Sequence, residues 1–149
     1  MRKLLLTSAI ALSVAAGAAS ATEFGTADEA QAMLEQAIVA LEADQAAALA
    51  AFNAGEAPFK DRDLYVFCGG EDGLFTAHGA NASLIGVSMA DLNDKAGKPL
   101  GASLYDAGIA GEINTVEYMW PRPNEETPVT KVSFVTKVAD QTCAVGYYQ

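Results

Sequence analysis

The 149-residue sequence contains few of the residues from which catalytic and metal centres are built. It has one histidine, two cysteines and no Cys-x-x-Cys pair, so it falls short of a zinc site and lacks a redox motif. It also has no Gly-x-Ser-x-Gly element and no complete phosphate-binding loop, and Glu71-Asp72 is too short for a calcium loop. We therefore expect no enzyme, no metal site and no cofactor.

Basic residues are also scarce, because nine Lys and Arg accompany nineteen Asp and Glu, for a formal net charge of −10. Two of the nine, Arg2 and Lys3, lie at the extreme N-terminus. A chain without them keeps seven basic residues and a net charge of −12. Such a surface repels nucleic acid and anionic lipid, which argues against both as partners. Solubility alone is the commoner use of an acidic surface.

A long apolar run occurs only at the N-terminus. A positive region at residues 2–3 and an apolar region at residues 4–18 precede the small-residue cleavage signature Ala-Ser-Ala at 19–21. This order predicts a secretory signal peptide over residues 1–21, cleaved after Ala21, and a periplasmic protein. The alternative is an uncleaved membrane anchor, for which the apolar run is short compared with the roughly 20 residues of a spanning helix.

Residues 22–149 are long enough for a single domain. Thr26 and Glu29 form a capping-box pattern, and apolar residues at helical spacing follow as far as Phe52. This pattern predicts one long helix of about 25 residues with a narrow apolar stripe. The stripe is expected to pack on another element of the fold, and dimerisation through it is the alternative.

Five later stretches have the composition or the period of β-strands. In chain order they are residues 64–68, 74–77, 115–120, 129–138 and 142–148. A glycine-dense turn joins the first two strands into a hairpin, and two short helices are predicted between the second strand and the third, near residues 88–92 and 100–110.

The two cysteines lie at the ends of strand-like runs, Cys68 at the end of the first strand and Cys143 near the start of the last. In an exported protein they are expected to form a structural disulfide. If they pair across neighbouring antiparallel strands, Phe67 lies opposite Ala144. The first and last strands are then neighbours, and hairpins among the other strands make the sheet order 2-1-5-4-3.

Several short motifs occur in a shared order along the chain. They are Asp61 to Phe67, the Gly73 turn, Ala77-His78 with Asn81, Leu84 to Gly86, the turn of Asp94 and Gly97-Lys98, Tyr118 to Pro121, Lys131 with Ser133, and Val145 to Tyr148. This set resembles the single Cache domains, type 2, of bacterial extracytoplasmic sensing, over nearly all of residues 22–149. The resemblance implies an α+β fold in which a long N-terminal helix packs on a five-stranded antiparallel PAS-like sheet of order 2-1-5-4-3.

The resemblance also implies a function and shows two departures from the family pattern. Family sensors bind small ligands, often short organic acids, as input modules of chemoreceptors and histidine kinases. They generally continue into a transmembrane helix and an output module, whereas this sequence ends at Gln149. A stand-alone periplasmic binding protein is therefore expected. Gly79 occupies a position where many relatives have proline after the histidine, so this loop is expected to differ.

Six residues are candidates for contacting a carboxylate ligand: Arg62, Tyr65, His78, Tyr118, Trp120 and Lys131. His78 can donate a hydrogen bond to a carboxylate, or it can be a structural histidine bonded to backbone. Tyr118 and Trp120 share one strand face and can form a pocket floor or ordinary core. Arg62 and Lys131 offer positive charge, although each type is more often a surface residue.

The function predicted is therefore a periplasmic Cache domain that binds a small carboxylate-like metabolite for sensing or signal transduction. Its expected partners are a membrane sensor kinase, chemoreceptor or transporter, and a second copy through the long helix. The alternative is an accessory protein without a ligand that docks on a membrane receptor or histidine kinase through that helix. An enzyme that uses His78 is a third and weaker hypothesis.

Overall fold

The structure is a computed structural model that describes residues 22–149. The predicted signal peptide and its cleavage after Ala21 lie outside the described residues. Within this range, none of the helices has both the length and the apolar character that crossing a membrane requires.

The N-terminal helical layer consists of two helices, α1 at Ala27–Ala43 and α2 at Gln45–Ala54. The predicted capping box begins α1. The prediction of one long helix is wrong, because Asp44 adopts an extended conformation between the two helices (φ −159°, ψ 99°). Its carboxylate accepts a hydrogen bond from the Ala47 amide at 3.0 Å, so Asp44 ends α1 and caps α2.

Six strands form one antiparallel sheet, and the sequence predicted five. They are β1 Lys60–Asp61, β2 Leu64–Gly70, β3 Phe75–His78, β4 Asn114–Pro121, β5 Pro128–Val138 and β6 Gln141–Tyr148. The sheet order is β1-β2-β6-β5-β4, and β3 pairs with β2 off this path. The predicted count and order are therefore corrected, because β1 has only two residues and shows no period in the sequence. Among the five longer strands, the predicted neighbours do pair.

The predicted disulfide is present and joins the two strands β2 and β6. Cys68 and Cys143 are directly opposed in the ladder, with 4.1 Å between their Cα atoms. Phe67 lies opposite Ala144, as the sequence predicted. The bond links the first long strand to the last across 75 residues of chain.

The sheet separates two hydrophobic clusters. On one face Val66 and Cys68 pack under α1 and α2 with Leu34 and Phe52. On the other face Tyr65 and the alternate residues of β2 are covered by the connection between β3 and β4. Because both faces are covered, every residue of β2 is buried.

The connection between β3 and β4 contains a 3-10 helix at Ala82–Leu84 and a helix α3 at Leu100–Ala107. The short helix expected near residues 88–92 is instead a series of turns. Helix α3 ends at Ala107, with Gly108 as its C-cap, three residues before the end at 110 that the sequence predicted. This connection forms the roof over the second cluster.

Candidate ligand-binding site

Five of the six candidate residues meet on the sheet face opposite α1 and α2. They are Tyr65 on β2, His78 at the end of β3, Tyr118 and Trp120 on β4, and Lys131 on β5. The period of two in these strands places Tyr118 and Trp120 on the same face. Their rings lie 6.4 Å apart in an edge-to-face arrangement.

Lys131 is a buried cation enclosed by aromatic rings. Its side chain is 1% exposed, and its Nζ donates a hydrogen bond to Tyr65 Oη at 2.8 Å. Nζ lies 4.2 Å from the ring centre of Tyr65, 4.9 Å from that of Tyr148 and 5.5 Å from that of Phe67. No carboxylate of residues 22–149 lies within ion-pair distance of it. The ring faces therefore supply its main electrostatic compensation.

Space for the Lys131 side chain comes from a glycine on the neighbouring strand. Gly146 on β6 lies opposite Ser133 of β5, and a Cβ at Gly146 would collide with Cε of Lys131 and with Ser133 Oγ. Ser133 Oγ also hydrogen bonds the Tyr118 hydroxyl at 2.9 Å. Gly146 is therefore needed for Lys131 to lie across the sheet towards Tyr65.

The pKa of Lys131 is lowered to about 7, because burial disfavours the ammonium form, while the distant carboxylate of Asp63 acts in the opposite direction. A buried lysine with such a pKa lacks the anion that would stabilise its charge. An anion bound close to it would raise the pKa and favour the protonated form.

His78 has a defined tautomer. Its Nδ1 accepts hydrogen bonds from the amides of Asn81 at 2.9 Å and Ala80 at 3.3 Å. Burial, and then the charge of Lys131, lowers the pKa of His78 to about 3, so the ring is neutral at physiological pH. A neutral ring that accepts at Nδ1 carries its proton on Nε2. His78 can therefore be held by backbone amides through Nδ1 and still donate a hydrogen bond to a ligand through Nε2. The two roles considered for it in the sequence are compatible.

Two neighbouring spaces with shared lining residues adjoin these side chains. The inner cavity has a volume of about 20 Å³, and its apolar wall includes Phe67, Leu100 and Leu104. The outer vestibule has a volume of about 400 Å³ and is more polar. Both spaces are lined by Tyr65 and His78. These two side chains therefore lie between the apolar inner cavity and the more polar vestibule.

Lys95 and Trp120 form one side of the vestibule. The Lys95 ammonium lies 5.0 Å from the centre of the Trp120 ring. The loop that carries Lys95 is held by Asp94, whose carboxylate accepts hydrogen bonds from the amides of Lys98 at 2.8 Å and Met119 at 3.0 Å. The entrance thus has a basic group fixed to strand β4.

Arg122 is a site residue that the sequence analysis missed. Its guanidinium carbon lies 4.2 Å from the ring centre of Phe24 and 5.2 Å from that of Tyr148, and Nε is 3.5 Å from Asp63 Oδ2. The side chain lines the vestibule. It lies in the proline-rich connection between β4 and β5, which gives no strand or helix period in the sequence. Its position directly after the aromatic strand was the available signal.

Arg62 is the candidate that the structure does not bring to the other five. Its guanidinium contacts Glu29 Oε1 and Asp61 Oδ2, each at 2.7 Å, and donates to the carbonyl oxygens of Thr22 and Phe24. These contacts lower the pKa of Glu29 to about 2, through the hydrogen bond from Arg62 and then those from Thr26. Arg62 lines a neighbouring cleft of about 270 Å³, on the side of Phe24, and this cleft shares Arg122 and residues 123–125 with the vestibule.

No group of three or more His, Cys, Asp or Glu side chains in residues 22–149 is arranged to hold a metal ion. The donors around the vestibule are instead amides, hydroxyls and cations. Such a set is suited to recognising an anion with a small apolar part.

Solved structures of sensor domains share this fold. One is a methyl-accepting chemotaxis protein from Vibrio parahaemolyticus RIMD 2210633, with a TM-score of 0.68 at 23% identity over 81% of this chain and 86% of that chain. Another is a periplasmic sensor domain of a chemotaxis protein, with a TM-score of 0.62 at 24% identity over 81% and 88% of the two chains.

A third similar structure is described as the basis for carboxylic acid recognition by a Cache chemosensory domain. Its TM-score is 0.62 at 20% identity, over 81% of this chain and 91% of that chain. The family model Single Cache domain 2 matches residues 5–147, and the chain therefore belongs to the single Cache domain family. No curated protein matches the sequence significantly.

Proposed function

We propose that this protein is a periplasmic sensing module that binds the anion of a short carboxylic acid. The observation that carries the proposal is the buried ammonium of Lys131, which lies behind Tyr65 without a carboxylate partner among the described residues. A bound carboxylate would supply the missing negative charge at the junction of the two spaces.

Two neutral donors are available to the ligand carboxylate. Because Tyr65 Oη accepts a hydrogen bond from Lys131, its own proton goes to another acceptor, and the adjacent ammonium strengthens that donor. In the free protein the neighbouring Tyr148 hydroxyl is such an acceptor, and a bound carboxylate would take its place. His78 supplies the second donor through Nε2, and its ring centre lies 4.9 Å from that of Tyr65. In this arrangement Tyr65 and His78 bind the carboxylate oxygens, and Lys131 provides the charge behind them.

The inner cavity limits the length of the ligand. Its volume of about 20 Å³ slightly exceeds the 10–15 Å³ or so that one water molecule needs by the same kind of measure. Its apolar wall of Phe67, Leu100 and Leu104 favours a hydrocarbon group over water. The ligand that fits is a carboxylate with one or two further carbon atoms.

The comparisons support this class of ligand and a role in sensing. The chain belongs to a family of sensor domains that typically lack catalytic activity, and a solved structure with the same fold is described as recognising carboxylic acids. By analogy with the chemotaxis proteins, the proposed partner is a membrane sensor kinase, chemoreceptor or transporter. Residues 1–21 are proposed to be removed on export, which leaves 22–149 as one Cache domain.

A thermal-shift series tests the proposal. Formate, acetate, propionate and butyrate are compared with acetamide and propionamide, which have similar shapes but no charge. We expect a short carboxylate to raise the melting temperature and its amide to leave it unchanged, because only the anion compensates Lys131. Tyr65→Phe keeps the ring and removes the hydroxyl, so it should abolish the shift. Equal shifts from acids and amides, or no shift from any acid, would contradict the proposal.

A further inference from the structure

Asn53 joins the helical layer to the strand that carries His78. It lies in the last turn of α2, one residue before the helix ends at Ala54. Its side-chain oxygen accepts a hydrogen bond from the His78 amide at 2.9 Å, and its side-chain nitrogen donates to the Thr76 carbonyl oxygen at 3.1 Å. One side-chain amide therefore binds two backbone groups of β3. Its orientation is fixed, because one partner is a donor and the other an acceptor.

The backbone amide that Asn53 accepts from faces away from β2. The amide of Gly79, the next residue after His78, donates to the Val66 carbonyl oxygen of β2 at 3.0 Å. Because alternate residues of an antiparallel strand bond to the same neighbour, the amide of His78 points to the other edge of β3. His78 is buried, so its amide needs a partner there, and Asn53 supplies it.

The end of β3 is thus held on one edge by β2 and on the other by α2, next to Tyr65. Gly79 lies so close to both that a Cβ there would be 3.0 Å from Tyr65 Cβ and 3.4 Å from the Phe52 carbonyl oxygen. A proline at this position could not donate the bond to Val66. The imidazole of His78 extends from this fixed backbone, and its ring centre lies 4.9 Å from that of Tyr65.

Helix formation does not explain an asparagine at this position. Helix α2 is rich in alanine, and asparagine has a lower helix propensity than alanine. Gln45, at the other end of α2 and roughly 12 Å along its axis, also binds outside the helix, to Asp140 Oδ1 at 2.8 Å. That bond is exposed and lies in the turn between β5 and β6. What Asn53 contributes is its pair of bonds to β3.

We propose that Asn53 is a positioning residue for the ligand, which holds the backbone of His78 so that the ring presents Nε2 beside Tyr65. The inference rests on the proposed carboxylate site, and it adds a residue of the helical layer that lines neither the inner cavity nor the vestibule. Without Asn53 one edge of β3 loses its bonds, so water should reach the ring and its orientation should no longer be fixed. Both changes occur in the histidine itself and can be observed in the free protein.

The free protein provides the first test, because His78 is the single histidine of the sequence. Protein with isotope-labelled histidine, purified without a histidine tag, gives the NMR signals of one ring. In the unmodified protein we expect the proton on Nε2 and a pKa of about 3. Asn53→Ala should raise this pKa by about one unit or more, because hydration favours the charged ring. Gln45→Ala, on the same helix, is the matched control and should leave the pKa unchanged.

Ligand binding provides the second test, in a double-mutant cycle with His78→Gln. Isothermal titration calorimetry with acetate and propionate measures the affinities of the two single variants and the double variant. Asn53→Ala alone should weaken binding about tenfold, because a hydrogen bond to a charged group is misplaced. In the His78→Gln background the same substitution should have little further effect, since both residues act through one donor.

Two outcomes would overturn the proposal. Alanine favours the helix, so Asn53→Ala should fold, which circular dichroism verifies. A folded Asn53→Ala variant in which the pKa of His78 is unchanged would show that Asn53 does not hold the ring. Losses of affinity that add in the double variant would show that Asn53 affects binding by another route. If acetate and propionate do not bind the unmodified protein, the proposed function fails, and the histidine titration alone decides this inference.

Discussion

Lys131 Nζ donates a hydrogen bond to Tyr65 Oη at 2.8 Å inside a cage of aromatic rings, and no carboxylate of residues 22–149 lies within ion-pair distance. A cation in this position disfavours the folded state unless an anion joins it. The same residue is therefore expected to lower stability in the free protein and to provide affinity in the bound one.

Replacing Lys131 with methionine separates these two effects. Lys131→Met keeps a side chain of similar length without the charge. At pH 6 we expect the free energy of unfolding to rise by about 1 kcal/mol or more, because a buried charge is replaced by an apolar group. We also expect the thermal shift caused by short carboxylates to disappear. Urea denaturation and the thermal-shift series measure the two results.

The matched control for this substitution lies on the same strand. Lys137 pairs with Glu71 at 2.9 Å near the protein surface. Lys137→Met should leave both the ligand response and the stability nearly unchanged, because exposed ion pairs contribute little. A Lys131→Met variant that still responds to carboxylates would exclude Lys131 as the source of affinity.

The stability of the free protein should depend on pH through Lys131. Its pKa is about 7 in the folded state and 10.5 ordinarily, so between these values the unfolded chain binds more protons and stability rises with pH. The slope approaches about 1.4 kcal/mol per pH unit. Urea titrations from pH 6 to 9.5 should therefore show the stability advantage of Lys131→Met shrinking above pH 7. Parallel curves for the two proteins would contradict the assigned pKa.

The inner cavity should determine the length of the preferred acid. Leu104 is fully buried and lines this cavity. Leu104→Ala should lower the free energy of unfolding by about 2–5 kcal/mol and enlarge the cavity. We expect the acids that bind most tightly to change from those with two or three carbon atoms to those with four or five. Isothermal titration calorimetry measures these affinities.

Leu34 provides the control for the size prediction. It is also fully buried, but it packs between α1 and the opposite face of the sheet. Leu34→Ala should destabilise the protein by a similar amount without changing the preferred chain length. A change of preference in both variants would show that loss of stability, and not cavity volume, changes the selectivity.

The sheet could be predicted because its signals are strong and mutually consistent. The positions of Cys68 and Cys143 specified the register of β2 on β6, and the period of two identified the strands. The break between α1 and α2 was missed because alanines on both sides of Asp44 favour continuous helix. Asp44 is a favoured N-cap residue, and its side-chain bond to Ala47 decides the local structure.

The candidate site could be predicted less well than the sheet. Its main property is the burial of a charged side chain, which depends on residues distant in the sequence. Sequence alone made Lys131 a candidate ligand contact through its charge, but it gave no sign that the side chain is buried. Its environment depends on Gly146 leaving space and on Tyr148 covering the ammonium, and both come from β6. Arg122 was missed for a related reason, since a proline-rich connection gives no period from which to infer its contacts with Phe24 and Tyr148.

Arg62 should be dispensable for ligand binding, although the sequence included it among the ligand contacts. Its guanidinium is engaged by Glu29, Asp61 and two backbone carbonyls away from the vestibule. Arg62→Gln should leave the affinity for short carboxylates within about twofold. It should also raise the pKa of Glu29 from about 2 towards 4.5, which a carboxyl NMR titration measures. A large loss of affinity in a variant that still folds would show that Arg62 contributes to ligand binding.

Removal of the disulfide should weaken the fold and leave the pocket chemistry intact. Cys68 and Cys143 lie in the cluster beneath the helices, whereas Tyr65 and Lys131 lie on the opposite face of the sheet. The double substitution Cys68→Ala and Cys143→Ala releases a loop spanning 75 residues, for which chain entropy predicts a loss of about 4 kcal/mol. Urea denaturation with and without reductant measures this loss. Because the pocket residues are unchanged, the order of affinities for the different carboxylates should be the same as in the unmodified protein, when measured below the melting temperature. A changed order would show that the disulfide positions the pocket residues.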